Sequence, residues 1–442
     1  MTSTFVPRGP STTHFVPSGT IGPVGTLTPH VALGYYPEGG NVARWDLARW
    51  DTASGQWQGA APLDDVTCDV VSVALTEGRD LPLERFRPGT ATLVLNDPEG
   101  KYSPWRTAPD PATYATVRVG IDLIVWVDVP GVGTVPRFRG IVQTIEDDFP
   151  DEGDRHTVTF HAVDYLGLLA AFDGIEQAPA GDGELPGARL QRITANAGYT
   201  GAKAFDAGSL ALQPTTLAKN ALDEAGLVID TELGALWCDR AGVLVFRDRN
   251  GLVADPHYTA VQAIFGDDPA EISGDFSGDE ICYAEIDLAS DTDKIKNIVS
   301  IANEGGTAVT RQDLTSVSLF QPRTFRRFDL IHQDPAQSPI IAQRHLDFYA
   351  YASNRVETLT VDLRAMRDDQ RATVLALDTL WRVQVRRRAT GFQVVADLQI
   401  QGMTETITAD AWAITFRTFS ASAVFDVGRW DLDLWDHGLW GY

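Results

Sequence analysis

A short apolar run, Thr92-Leu93-Val94-Leu95, stops abruptly in Asn96-Asp97-Pro98-Glu99-Gly100 and leaves through Lys101-Tyr102-Ser103-Pro104. Proline presets a turn φ, and glycine supplies the positive φ that other residues resist, so the run is read as a buried strand ending in a tight turn. An aromatic residue and a second proline then fix how the chain departs. Such a corner belongs to a hairpin of an all-β domain, and Asn96, Asp97, Gly100, Tyr102 and Pro104 are the residues that define it.

The neighbouring sequence extends this pattern. Segments 66–75, 117–127, 138–146 and 156–163 are further strand candidates, and Val117, Val119, Ile121 and Leu123 alternate with Arg118, Gly120 and Asp122. Five or six short strands separated by Gly and Pro turns predict a small barrel or sandwich over 61–170. Between 171 and 270 the period changes. Leu190, Ile193 and Ala197, and then Leu217, Ala218, Ala221, Leu222 and Ala225, fall on helical faces, with Gly198 and Gly226 placed to end the two helices. A hairpin across 239–242 follows, joining strands 228–237 and 243–247. The β pattern returns over 271–420. Strands are expected at 295–301, 359–363, 380–386, 394–403, 406–408 and 412–416, and a helical segment is inserted at about 316–370. Within that segment Ser338 is read as the N-cap and Pro339 as the first residue of a helix to Tyr351, with Ala342, Leu346 and Tyr349 on one stripe. The fold class is therefore mainly β with α+β inserts, organised as two small barrels separated by α+β modules.

Both ends differ from this body. Residues 1–60 are rich in Pro, Gly, Ser and Thr and read as an extended arm. The arm ends in Arg44-Trp45-Asp46-Leu47-Ala48-Arg49-Trp50-Asp51, and 421–442 carries the related Arg429-Trp430-Asp431-Leu432-Asp433-Leu434-Trp435-Asp436, with Trp440 beyond it. Trp45, Trp50, Trp430, Trp435 and Trp440 are candidate partner anchors; the same indoles could plug barrel ends behind Asp-capped turns or stack on glycans.

Several of these pieces, in this order, resemble the tail-hub (baseplate-hub) family of phages, which includes minor tail proteins of non-contractile tails. They are the Asn-Asp-x-x-Gly-Lys-Tyr-Ser-Pro corner, Phe138-Arg139-Gly140-Ile141-Val142 followed by Thr144-Ile145-Glu146, the strand 158–163 running into Asp164-Tyr165-Leu166, the Lys296-Asn297-Ile298-Val299 strand, and the closing strands 398–404 and 412–416. The resemblance spans about 61–420. It implies two hub-type barrels per chain, three chains in a ring, and a pseudo-six-fold collar joining a six-fold tail to a three-fold tip. The implied function is structural: closing the tail tube, seating the C-terminus of the tape-measure protein, organising tip fibres and opening for DNA. The implied partners are two further copies of the chain, the distal tail protein or tube ring, the tape-measure protein, and fibre or receptor-binding proteins. The implied location is the virion tail tip, assembled in the host cytoplasm. A carbohydrate-binding tail adhesin, a hexameric distal tail protein and a cell-wall hydrolase are the alternatives.

Charge bears on the same reading. The chain has 442 residues, with 60 acidic against 36 basic ones and a net charge of −24. A phosphate-gripping groove depends on Lys and Arg, so stable nucleic-acid binding is not expected. An acidic wall would instead let a polyanion slide past, and the same charge also serves solubility. Cys68, Cys238 and Cys282 are far apart in the sequence and odd in number, and are expected as buried small hydrophobes rather than bridges or ligands. No apolar run reaches membrane-spanning length, and no basic region followed by an apolar core opens the chain, which predicts neither a membrane span nor a signal peptide. No Gly-x-Ser-x-Gly, His-Glu-x-x-His or Cys-x-x-Cys is present, and Gly100-Lys101 precedes Tyr102 rather than the Ser or Thr of a phosphate loop. His156 and His161 are five apart on a strand and so face oppositely, and Asp291 with Asp293 lacks the glycine of a calcium loop. The pairs Asp147/Asp148 and Asp267/Asp268 are expected as solvated loop residues. No catalytic, cofactor or metal residues are assigned.

Overall fold

The structure, a computed structural model, describes residues 20–21, 23–25, 27–34, 63–105, 117–148, 156–268, 280–289, 293–351, 355–389 and 392–421. Trp45, Trp50, Trp430, Trp435 and Trp440 lie outside the described residues.

Period-2 alternation builds the first barrel. Its strands are β1 (Thr28–Gly34), β2 (Leu63–Asp65), β3 (Val70–Gly78), β4 (Arg87–Asn96), β5 (Asp122–Val129), β6 (Gly133–Asp148) and β7 (Thr157–Asp164), ordered β3-β4-β7-β6-β5-β1-β2 in the sheet. Leu93 and Leu95, Leu123, Val125 and Val127, and Val158 and Phe160 all point into one interior and are fully buried. The sheet curls back on itself where Ile21 N donates to Val70 O and Val66 N to Val31 O, each at 2.9 Å.

After an α+β module carrying β8 (Lys203–Phe205), β9 (Ala235–Cys238) and β10 (Leu244–Arg247), the second barrel forms. It uses β11 (Val261–Gly266), β12 (Ile281–Cys282), β13 (Glu285–Ala289), β17 (Arg355–Asp362), β18 (Arg382–Ala389), β19 (Phe392–Thr408) and β20 (Trp412–Ser420), with β14 (Ile298–Asn303), β15 (Val309–Gln312) and β16 (Thr324–Leu330) set apart in a second module. Strand β12 pairs with β11 and the adjoining β13 pairs with β17, so the bent segment 281–289 closes the ring β11-β18-β19-β20-β17. The two barrels are one sheet. Strand β19, 17 residues long, pairs with β18 over its first half, with β20 over its second, and with β3 from Gly402 to Thr408. A continuous apolar core runs through both, from Leu33 and Leu93 to Val383, Ile414 and Phe416.

The first module packs helices Pro186–Asn196 and Ala221–Glu232 on the sheet β8-β10-β9. The second lays helix Gln337–Tyr349 on the sheet β15-β14-β16, burying Ile341, Ala342 and Leu346 against Val299 and Ile301.

Several sequence expectations are corrected. Residues 28–34, expected within an extended arm, form β1, paired with β5. The segment 261–266 is barrel strand β11 rather than part of the α+β insert, and strand 298–303 lies in the second module rather than the barrel, because its partners β15 and β16 are local to that module. Val119 is 56% exposed because the chain turns at 118–120 and β5 begins only at Asp122. The second helix does not stop at Gly226. It starts behind Asn220, whose side chain accepts from Leu222 N at 3.0 Å, and runs to Glu232, with Leu233 taking the left-handed position at φ 59°. Gly226 lies within the helix and has the Arg85 side chain packed over it: a Cβ there would fall 2.3 Å from the guanidinium carbon, and the arginine would have to move aside. That helix occupies half of the expected strand 228–237, and β9, at 235–238, overlaps only its last three residues. Ser338 does not cap its helix; its hydroxyl lies 2.9 Å from Nε2 of buried His332. Helix Asp368–Ala376 also carries the chain between β17 and β18.

Candidate functional site

The corner after β4 is wound around one carboxylate. Asn96 is the last residue of β4, in register with Thr157, and Asp97 behind it is 1% exposed. The Asp97 side chain accepts from Lys101 N at 2.5 Å and Tyr102 N at 2.7 Å, while its carbonyl accepts from Gly100 N at 3.1 Å. Gly100 at φ 66° is what lets the chain turn tightly enough for those bonds. His156 Nδ1 is 2.6 Å from the Asp97 carbonyl oxygen, which can only accept, so Nδ1 carries the proton. Tyr102 is buried and donates to Asp69 at 2.5 Å, with the Lys101 ammonium 2.8 Å from its oxygen. Ser103 donates to Asp147 at 2.7 Å, and Pro104 then turns the chain outward so that Trp105 is 79% exposed. Of the five corner residues, Asp97, Gly100 and Tyr102 are thus joined directly by hydrogen bonds, with Asn96 and Pro104 flanking them in the chain.

A second constellation lies where the barrels and the first module meet. Arg137 of β6 donates to Glu405 of β19 through Nε at 2.9 Å and Nη2 at 2.6 Å, and through Nη1 to Leu375 O at 2.8 Å. Both side chains are under 5% exposed. Trp412 Nε1 donates to the other Glu405 oxygen at 2.8 Å. Beside them Arg240, from the β9–β10 hairpin, donates to Glu77 of β3 at 2.8 Å. Burial alone would depress both guanidinium pKa values. Arg137 is lowered, with the neighbouring Arg240 charge adding to desolvation, whereas for Arg240 the carboxylates of Glu77, Asp378 and Glu405 more than offset desolvation and raise it.

A third feature is a cavity of about 580 Å³ between the two modules, floored by Leu83, Leu233 and Phe348. Arg79, Arg249, Arg311 and Arg344 line it with one lining carboxylate, Asp347, while Arg249 is also paired at 3.4 Å with buried Glu232 behind the wall; exposed Ile340 and Val253 stand at its rim. These arginines come from four distant stretches of an acidic chain. No spacing rule could have gathered them.

The other sequence candidates separate. His156 is buried at the corner, whereas His161 lies half-exposed beside Thr92 and Glu146 on the opposite strand face. Asp147, expected in a solvated loop, is instead a β6 residue whose side chain is buried and held by Ser103. Asp267 accepts from Arg388 N at 2.8 Å. The three cysteines form no disulfide; Cys238 is buried, but Cys68, expected buried, is exposed in the turn Thr67–Asp69. Among the described residues no group of three His, Cys, Asp or Glu side chains could hold a metal, and no helix is long and apolar enough to cross a membrane.

No family model and no curated protein matches the sequence. The fold, however, matches solved structures. A tail protein from Neisseria meningitidis MC58 superimposes with a TM-score of 0.56 at 14% identity, covering 82% of this chain and 95% of that one. The fold is that of phage tail proteins. The 43 kDa tail protein of prophage MuSo2 from Shewanella oneidensis agrees, with a TM-score of 0.52 at 12% identity over 89% of this chain and 99% of its own. Two curled barrels with α+β modules between their strands are thus a tail-protein architecture, reached here by a sequence that shares few residues with either structure.

Proposed function

We propose that this chain is a structural protein of a phage tail tip, a baseplate-type hub with no catalytic role. The observation that carries the reading is the pair of barrels fused through β19 and β3. Three copies of such a chain present six barrels at three-fold symmetry, which is the geometry required between a six-fold tube and a three-fold tip. The tail-protein fold supports the same class. In this role the ring closes the tube, meets the distal tail or tube protein on one side and fibre or receptor-binding proteins on the other, and seats the end of the tape-measure protein. The acidity of the chain suits a lumen past which DNA slides without adhering.

Sedimentation equilibrium of the purified chain with electron-microscope class averages tests the reading. A three-membered ring with an axial hole is the expected result. A six-membered ring would replace it with a distal tail protein. A monomer that binds cell-wall glycan and loses that binding on Trp430→Ala or Trp435→Ala would make the chain an adhesin, and turnover of peptidoglycan would make it a hydrolase. A basic or apolar lumen in the assembled ring would remove the proposed sliding surface.

A further inference from the structure

The cavity between the two modules combines an apolar floor with an excess of positive charge in a strongly acidic protein. Arg79 is itself buried, held by Gln401 Oε1 at 2.8 Å and the Glu84 carbonyl at 3.0 Å, and its guanidinium lies 4.8 Å from the Phe86 ring centre. Arg344 lies 5.0 Å from the centre of the Phe348 ring that forms part of the floor. Ile340, 51% exposed on the helix Gln337–Tyr349, stands at the rim with Val253. An occupant must therefore offer apolar or aromatic surface together with negative charge.

The chain supplies such a segment beside the cavity. Strand β20 ends at Ser420, and Phe419 is in register with Gln399, a lining residue. Phe419 also packs edge-on to Tyr349, in a cluster with Phe348. The last described residue, Ala421, bonded to Asp397 O at 2.9 Å, is thus two residues from the cavity wall. From there, seven residues lead to Arg429-Trp430-Asp431-Leu432-Asp433-Leu434-Trp435-Asp436, a reach of up to about 25 Å. This block carries three aspartates against one arginine, interleaved with two indoles and two leucines. The related block at 44–51 has two arginines and two aspartates and hence no net charge. In sequence it falls between β1 and β2, strands at the far end of the sheet order from β18.

We propose that segment 422–442 folds back into this cavity of its own chain, with the Trp and Leu side chains of 430–435 on the apolar floor and Asp431, Asp433 and Asp436 meeting Arg249, Arg311 and Arg344. The segment is then an internal plug that ties the second barrel to both modules. It acts as a tethered ligand whose local concentration is set by the short connection from Ala421.

The test uses a fluorescein-labelled peptide of residues 422–442, the full chain and a chain ending at Ala421, read by fluorescence anisotropy. The truncated chain is expected to bind the peptide saturably, and the full chain on the order of 100-fold more weakly because its own segment occupies the site. Arg344→Glu and, at a solvent-exposed position, Ile340→Asp are expected to abolish binding to the truncated chain, with circular dichroism confirming that each variant is folded. Equal binding by full and truncated chains, binding by neither, or binding that survives both substitutions overturns the proposal. So does equal binding of a peptide spanning 42–53, because selection would then not depend on charge. Loss of the blocked state on dilution of the full chain would assign the occupant to a neighbouring copy and overturn docking within one chain.

Discussion

Replacing Arg137 by methionine tests what holds the two barrels together. The substitution keeps an unbranched apolar stem and deletes a guanidinium that makes three bonds, two to Glu405 and one to Leu375 O. Glu405 would keep the Trp412 indole as a hydrogen-bond donor and the Arg240 charge nearby, in a site where it is 4% exposed. Removing one member of a buried ion pair typically costs about 3–5 kcal/mol, because the abandoned charge is left desolvated. Removing both charges is far milder, since the site then holds no unpaired ion. Urea unfolding followed by far-ultraviolet circular dichroism is therefore expected to show a loss of about 3–5 kcal/mol for Arg137→Met and about 1–2 kcal/mol for Arg137→Met with Glu405→Gln, whose amide oxygen still accepts from Trp412. The double variant should be more stable than the first single one by about 2 kcal/mol. A loss below about 1 kcal/mol in the single variant, or a double variant no more stable than the single, would mean that the charges are solvated and that apolar packing alone closes the junction.

Gly78→Ala is expected to destabilise by about 3 kcal/mol or more, because Gly78 has φ 104° and an added Cβ would lie 2.2 Å from Gly402 Cα; thermal unfolding checks it, and a neutral outcome would show that β3 and β19 can part locally. Tyr102→Phe removes a buried hydroxyl bonded to a carboxylate and should cost about 1.5–3 kcal/mol in the same assay. His345, buried beside Lys296 and Arg327, has its pKa pushed down to about 3 by desolvation and by those two charges. It is neutral in the folded chain while the unfolded chain takes up a proton below its ordinary value of 6.5, so its contribution is present above that value and lost as pH falls towards 3. The slope is up to about 1.4 kcal/mol per pH unit, and His345→Leu should flatten that part of the stability profile.

The barrels were legible because half-buried strands write their period into the sequence: Leu123, Val125 and Val127 alternate as they must. The corner was legible because its turn chemistry is local, with Asp97, Gly100 and Tyr102 within six residues. Boundaries failed where a local signal had a second use. Gly226 looks like a helix end but lies within the helix under Arg85, and Ser338 looks like a cap but bonds His332. Strand β1 was hidden by the Pro- and Gly-rich composition around it, and β19 was split in two because one strand serving two barrels changes its facing neighbours near Gly402. The Arg137–Glu405 pair, 268 positions apart, and the arginines of the cavity were out of reach for a different reason: they bring together separate stretches of chain, which no periodicity encodes.

The shared strand has a mechanical consequence. Where β3 and β19 lie side by side, the pairs from Gly402↔Gly78 to Thr408↔Ser72 are loaded together when one barrel is pulled along the strand direction past the other. A ladder strained in shear resists as a set, whereas one peeled from its end yields bond by bond. The two barrels of one chain therefore behave as a stiff lever with no hinge at the β3–β19 ladder. In the proposed ring, a change of aperture would then be confined to the seams between subunits.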